Sequence, residues 1–170
     1  MGAPHAGLTT AAPPALRDDD HIRGAAEAPL VVVYADFTCP HCALAADRLA
    51  RAPVRVAFRH FALRAKHPRA VAVAQAAEAA AAQDAFWPFH DALYADQGRL
   101  DDPHLWARVE RLGLDLERFE ADRRADAAAV RVRGDVRDGL RAGVATTPTL
   151  VIAGALYPGV PAPDLLRTLG

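Results

Sequence analysis

Leu30-Val31-Val32-Val33-Tyr34-Ala35-Asp36-Phe37-Thr38-Cys39-Pro40-His41-Cys42 decides how the rest of the chain is read. Leu30 to Phe37 is almost continuously apolar and β-branched, the pattern of a strand buried on both faces of a sheet. Thr38-Cys39 ends the run, and Pro40 suits the first position of a helix, where its missing N–H costs nothing. A helix from Pro40 to about Arg51 follows, stopped by Pro53. The next run, Val54 to Phe61, places Val54, Val56 and Phe58 on one side, the alternation of a second strand. Strand, helix and strand on short links form a βαβ unit whose two strands are parallel.

Outward from this unit, the stretch from about Ala62 to Gly143 is helical in pattern throughout. Pro68 opens an alanine-rich helix that runs to about Gln83. After Asp84 comes an aromatic helix with Phe86, Trp87, Phe89, Leu93 and Tyr94, whose rings are expected to pack a core. Asp102-Pro103, Asp115 and Asp126 each start a further helix. Gly143 closes the last of these, while Gly134 and Gly139 weaken it. Its arginines, among them Arg131, Arg133 and Arg137, alternate with acids such as Asp135 and Asp138, as does Arg123 with Asp122 upstream. That alternation predicts a solvated face. Strand signals return at Thr149–Ile152, Ala153-Gly154 turns the chain into Ala155-Leu156-Tyr157, and Pro161 to Leu169 reads as a closing helix. The order is βαβ, several helices, then ββα. The Ala-, Pro-, Gly- and Thr-rich residues 1–20 predict a flexible tail, and 21–170 a single α/β domain with an all-helical insertion at about 62–143.

The 170 residues carry a formal net charge of -1 and are 52% hydrophobic. The charge gives no general pull toward nucleic acid, and no stretch approaches the ~20 apolar residues of a membrane span. Two cysteines cannot staple a secreted miniprotein. No basic start followed by an apolar run marks a secretory signal, so a cytoplasmic protein is expected, with export after signal removal as the alternative.

Any thiol chemistry is therefore concentrated at Cys39-Pro40-His41-Cys42. Cys39 falls at the amino terminus of the predicted helix, where unpaired N–H groups and the helix dipole favour thiolate over thiol. Cys42 lies about one turn on, within reach of Cys39 but more shielded. That asymmetry is what thiol–disulfide exchange needs: an exposed nucleophile and a second thiol to resolve the mixed disulfide. His41, between them, can further stabilise a Cys39 thiolate. Structural thiols or a metal site are the plainer readings. Zinc would need two more ligands, for which His60 and His67 are candidates, but their spacing from Cys42 departs from common zinc sites.

Cys39-Pro40-His41-Cys42 after a buried strand resembles the active site of DsbA-like thiol–disulfide oxidoreductases of the thioredoxin superfamily. So do the βαβ…ββα order with its helical insertion and the loop Gly143-Val144-Ala145-Thr146-Thr147-Pro148-Thr149-Leu150. Tyr34-Ala35-Asp36-Phe37, Phe58-Arg59-His60-Phe61 and Phe86-Trp87-Pro88-Phe89-His90 are similar to the shorter members. The resemblance implies a thioredoxin fold and exchange with protein thiols, with Cys39 as nucleophile and Cys42 as resolving thiol. It implies that Pro148 is a cis-proline facing the cysteines, with Thr147 before it docking substrate. It implies no metal or organic cofactor, and a redox recycling partner. Two departures stand out. Thr146 occupies a position that is glycine in many short relatives, and Val33 stands where thioredoxins carry a buried acid. Asp36 is the nearest acid and is a candidate for either proton relay or capping. The alternatives are a DsbA-like enzyme acting on a small thiol conjugate, such as a glutathione-type transferase or isomerase, and a non-catalytic redox-sensing or metal-binding module.

Overall fold

The computed structural model describes residues 15–169. Its elements are β1 (His21–Arg23), β2 (Leu30–Ala35), α1 (Pro40–Ala50), β3 (Arg55–His60), α2 (Ala70–Ala81), α3 (Phe86–Ala95), α4 (Asp102–Arg111), α5 (Leu116–Asp122), α6 (Asp126–Arg141), β4 (Thr149–Ile152), β5 (Ala155–Pro158) and α7 (Pro163–Arg167). The strands form one mixed sheet in the order β1-β3-β2-β4-β5. β2 lies at its centre, parallel to β3 with Val33 opposite Phe58, and antiparallel to β4 with Val33 opposite Leu150. This is the thioredoxin fold, with α2 to α6 inserted between β3 and β4.

The continuous apolar run of β2 has the reason expected of it: both its faces are covered. Val31, Val33 and Ala35 enter the main core with Leu49, Phe58, Phe86, Phe89 and Leu150. Val32 and Tyr34 enter a second cluster with Ala57, Phe61, Val144 and Val151, against which Val136 of α6 packs.

Three features differ from the sequence reading. First, β1 is an additional strand, antiparallel to β3. Its three residues carry no alternation of their own, so pairing with β3 creates it rather than propensity. Second, residues 1–14 of the expected tail lie outside the described residues, but residues 15–20 are fixed to the domain. The Asp20 side chain is fully buried and receives Nε and Nη2 of Arg59 at 2.9 and 2.7 Å. Arg17 donates to Asp135 of α6 at 2.5 Å. Third, the charged alternation of α6 is not wholly solvated. Asp135 is completely buried, with Oδ2 accepting the His60 backbone N–H at 2.9 Å, and the Arg131 side chain packs beside it. Arg123, after α5, is buried too, between Glu120 and Asp102. Alternating charge looks the same in sequence whether water or another segment supplies the partners.

The two glycines of α6 should respond oppositely to alanine. A methyl on Gly134 meets nothing within 4 Å, so Gly134→Ala is expected to stabilise the fold by about 0.5–1 kcal/mol through helix propensity. A methyl on Gly139 would lie 2.9 Å from the Phe61 ring and 3.0 Å from the Tyr34 ring, so Gly139→Ala is expected to cost about 1–3 kcal/mol. Urea unfolding of the two variants checks the opposite signs.

Candidate active site

β2 ends and α1 begins at one end of the sheet, and the chain reverses there through Asp36-Phe37-Thr38. Asp36 Oδ1 accepts the Thr38 backbone N–H and the Thr38 hydroxyl, both at 2.8 Å, which closes the turn. Cys39 follows as the N-cap of α1, in an extended conformation, with Pro40 first in the helix. The Cys39 side chain makes no capping bond to the helix, at whose positive dipole end its sulfur lies.

The loop before β4 comes to meet it. The Thr147–Pro148 peptide is cis. The Cys39 thiol lies 3.6 Å from the Thr147 carbonyl oxygen, to which it donates. Cys39, Pro40, Thr146 and Thr147 share an open cleft of about 250 Å³ with Lys66 and His67. Cys42 lies behind, 1% exposed, with its sulfur 3.5 Å from the Asp36 backbone N–H. Burial pushes the Cys42 thiol far up from its ordinary range, and the Asp36 N–H offsets this only in part. Both cysteines are free thiols here. The pair thus consists of one reachable sulfur and one shielded sulfur. Pro40 and His41 are exposed beside the reachable one, and His41 makes no hydrogen bond among the described residues.

The insertion also reaches this site, which the sequence reading did not foresee. Gln97, just after α3, donates from Nε2 to the carbonyls of Phe37 and Cys39 at 2.7 and 3.0 Å. Tyr94 of α3 donates to the Asp36 carbonyl at 3.4 Å. The segment carrying Gln97 is itself held by the buried Arg108, which donates to the carbonyls of Ala92, Asp96, Arg99 and His104 at 2.7–3.1 Å. Nothing in the spacing of Gln97 announces its role, because its partners lie in another part of the chain.

The two histidines considered as metal ligands do not act together. His67 lines the cleft, whereas His60 is buried and donates from Nε2 to Glu78 at 2.7 Å, as does His21. The donor atoms of His21, His60 and Glu78 lie within 4.8 Å of one another. A metal on Nε2 of His60 would move that ring's proton to Nδ1, which is buried with no partner among the described residues. The acceptor that normally steadies a ligating histidine is therefore missing. Instead the cluster ties β1, β3 and α2 together. Burial alone would raise the Glu78 carboxyl, but the bonds from His21 and His60 outweigh it and hold the group well below its ordinary range. A carboxyl depressed by folding stabilises the protein above its unfolded pKa of about 4.3, and that contribution fades as pH falls through the folded value. Glu78→Gln is therefore expected to cost about 2–3 kcal/mol at neutral pH, with a gap to wild type that narrows in strong acid. Urea midpoints across a pH series check this.

Comparison with known proteins places the geometry in context. A family model described as thioredoxin matches residues 17–169. A Salinispora arenicola protein named Na(+)/H(+) antiporter NhaA 1 is 43% identical over 151 residues, covering 84% of this chain and 23% of that protein. The Herminiimonas arsenicoxydans protein named Na(+)/H(+) antiporter NhaA is 39% identical over 150 residues, covering 84% and 24%. This chain thus spans about a quarter of the length of these relatives. Among solved structures, a thioredoxin-like oxidoreductase from Silicibacter pomeroyi DSS-3 superposes with TM-score 0.80 at 24% identity, covering 90% of this chain and 91% of that one. The thiol-disulfide exchange protein alpha-DsbA2 from Wolbachia pipientis gives 0.76 at 22% identity, covering 86% and 83%. The catalytic domain of Proteus mirabilis ScsC gives 0.71 at 20% identity, covering 88% and 86%. At these identities the likeness is one of fold.

Proposed function

Since the chain belongs to the thioredoxin family, we propose that it is a thiol–disulfide oxidoreductase acting on protein thiols through Cys39 and Cys42. The supporting observation is the pairing of a reachable Cys39 sulfur, 3.6 Å from the Thr147 carbonyl at a helix amino terminus, with a buried Cys42 one turn behind it. In the reducing direction the Cys39 thiolate attacks one sulfur of a substrate disulfide. A Cys39–substrate disulfide forms and the other substrate sulfur leaves as a thiolate. Cys42 then gives up its proton and attacks Cys39, so that the Cys39–Cys42 disulfide forms and the substrate leaves reduced. Oxidation of a dithiol substrate is the same path reversed. A separate thiol or disulfide partner restores the starting state, and the reaction calls on no metal or organic cofactor.

The open cleft suits an extended polypeptide. Thr147 and Pro40 line it beside Cys39, Pro148 sets the turn of the loop after Thr147, and His41 stands exposed next to Pro40. Asp36 is assigned the closing of the turn, since Thr38 engages its Oδ1 twice. The antiporter name of the relatives is not carried over, because it belongs to proteins about four times as long. The described residues contain no helix long and apolar enough to cross a membrane. The test is reduction of insulin disulfides by dithiothreitol. Acceleration by the protein, lost on removal of Cys39, supports the reading. No acceleration, with turnover of glutathione conjugates instead, overturns it.

A further inference from the structure

Resolution of the mixed disulfide requires Cys42 to lose its proton, and burial holds that proton on. Asp36, the acid nearest Cys39 along the chain, engages Thr38 and offers Cys42 its backbone N–H alone. Burial also keeps the Tyr94 phenol protonated. On the side facing α3, however, Cys42 borders a small cavity of about 10 Å³, at the lower limit of what holds one water. His90 borders the same cavity.

His90 is 3% exposed, and its Nδ1 lies 2.7 Å from Asp91 Oδ1. Asp91 is an ionised acceptor, held in place by Arg23 of β1 at 2.9 and 3.1 Å. The proton of a neutral His90 must therefore sit on Nδ1, leaving a lone pair on Nε2. Nε2 makes no hydrogen bond among the described residues. Phe37, Phe58 and Tyr94 pack edge-on to the ring, with centroids 5.6, 5.3 and 4.9 Å away, and fix its plane.

We propose that His90, oriented by Asp91, receives the Cys42 proton through one bridging water when Cys42 resolves the mixed disulfide on Cys39. The proposal rests on the exchange reading above. The Cys42 S–H bond breaks and its proton passes to the water, which gives one of its own to His90 Nε2. The Cys42 sulfur takes over the bond to Cys39, and the substrate sulfur leaves with the electron pair. The imidazolium then returns its proton to solvent or to the leaving thiolate. The groups facing His90 suit this. Burial lowers its pKa, as do Arg23 on β1 and His60 on β3, while Asp91 on its own helix opposes them. Cys42 of α1 and Tyr94 of α3 line the same cavity. The net lowering keeps the ring neutral at neutral pH, with Nε2 as its one acceptor atom.

The test uses the reduced full chain and one equivalent of the chromogenic disulfide dithiobis-nitrobenzoate in a stopped-flow instrument. The first chromophore release reports attack by Cys39, and the second reports resolution by Cys42. His90→Gln is expected to lower the ratio of second to first rate by about 100-fold at neutral pH. The ratio should rejoin wild type in alkali, where hydroxide removes the Cys42 proton directly. Asp91→Asn, which keeps the ring in place, is expected to give a smaller drop with the same pH shape. A ratio unchanged at neutral pH overturns the proposal. So does a ratio lowered equally at every pH, which is the mark of lost packing. If the first release persists in Cys39→Ser, the exchange reading itself is what fails.

Discussion

Replacing Cys39 with serine is expected to abolish disulfide exchange, and replacing Cys42 is expected to stop it halfway. The two sulfurs differ in reach. Cys39 is partly exposed in an open cleft, whereas Cys42 is 1% exposed and packed in the main core. Cys39→Ser removes the atom that attacks substrate, and a serine hydroxyl, essentially never ionised at neutral pH, does not replace it. Insulin reduction should fall by at least about 1,000-fold, to the rate of dithiothreitol alone. Cys42→Ser keeps the attack and loses the resolution, so covalent adducts through Cys39 should accumulate, visible on non-reducing gels and released by reductant. Serine at a buried site also costs about 1–3 kcal/mol for its unpaired hydroxyl, so Cys42→Ala is the companion variant. Equal trapping by Cys39→Ser would reverse the assignment of the two thiols.

Asp20→Ala is expected to be among the most destabilising single changes in the chain, costing about 3–5 kcal/mol. Its carboxylate is fully buried against Arg59, itself 2% exposed and always charged. With Asp20 gone, the guanidinium keeps the Tyr34 hydroxyl at 3.1 Å and the Ala15 carbonyl at 2.6 Å, but no carboxylate. The cost is that of a charge left stranded out of water. Adding Arg59→Met should therefore recover part of the loss, since the orphaned charge goes with it. The pH dependence has a definite sign. Burial raises the Asp20 carboxyl, but hydrogen bonds from Arg59 and Arg17 outweigh it and the net shift is downward. Its contribution is thus complete above about pH 4, the unfolded value, and lost in stronger acid. Urea unfolding at neutral pH checks the magnitude. A loss below about 1 kcal/mol, as for an exposed ion pair, would falsify the buried-clamp interpretation.

The contrast between these two residues shows what could be read from the chain alone. Cys39 was legible because its signal is local: a buried strand, a proline at the first helical position and a second cysteine one turn on all lie within a dozen residues. Thr147 and Pro148 were legible through resemblance. Asp20 falls in the stretch whose composition predicts a flexible tail, since nothing in Arg17-Asp18-Asp19-Asp20 foretells a partner on β3. The polar contacts of Gln97, Tyr94 and His90 escape a reading of the sequence for the same reason. Each is one residue in the helical insertion, without a repeating spacing, and what it meets lies in the turn between β2 and α1 or on α1 itself. β1 exists by pairing, not by composition. Periodicity reports the faces of single elements, whereas buried polar contacts depend on which elements meet.

β1 has a further consequence, concerning association between chains. A strand at the margin of a sheet presents unpaired backbone groups that can template another chain. Here that margin is three residues long, and the Trp87 indole N–H, with Arg23 stacked 4.3 Å over its ring, already occupies the Ile22 carbonyl at 3.0 Å. Under the exchange activity proposed above, extended polypeptides would be the visitors at this margin. β1 offers such a chain a short seam with one acceptor already taken, so adding a rung there would gain it little and would not hold it after exchange.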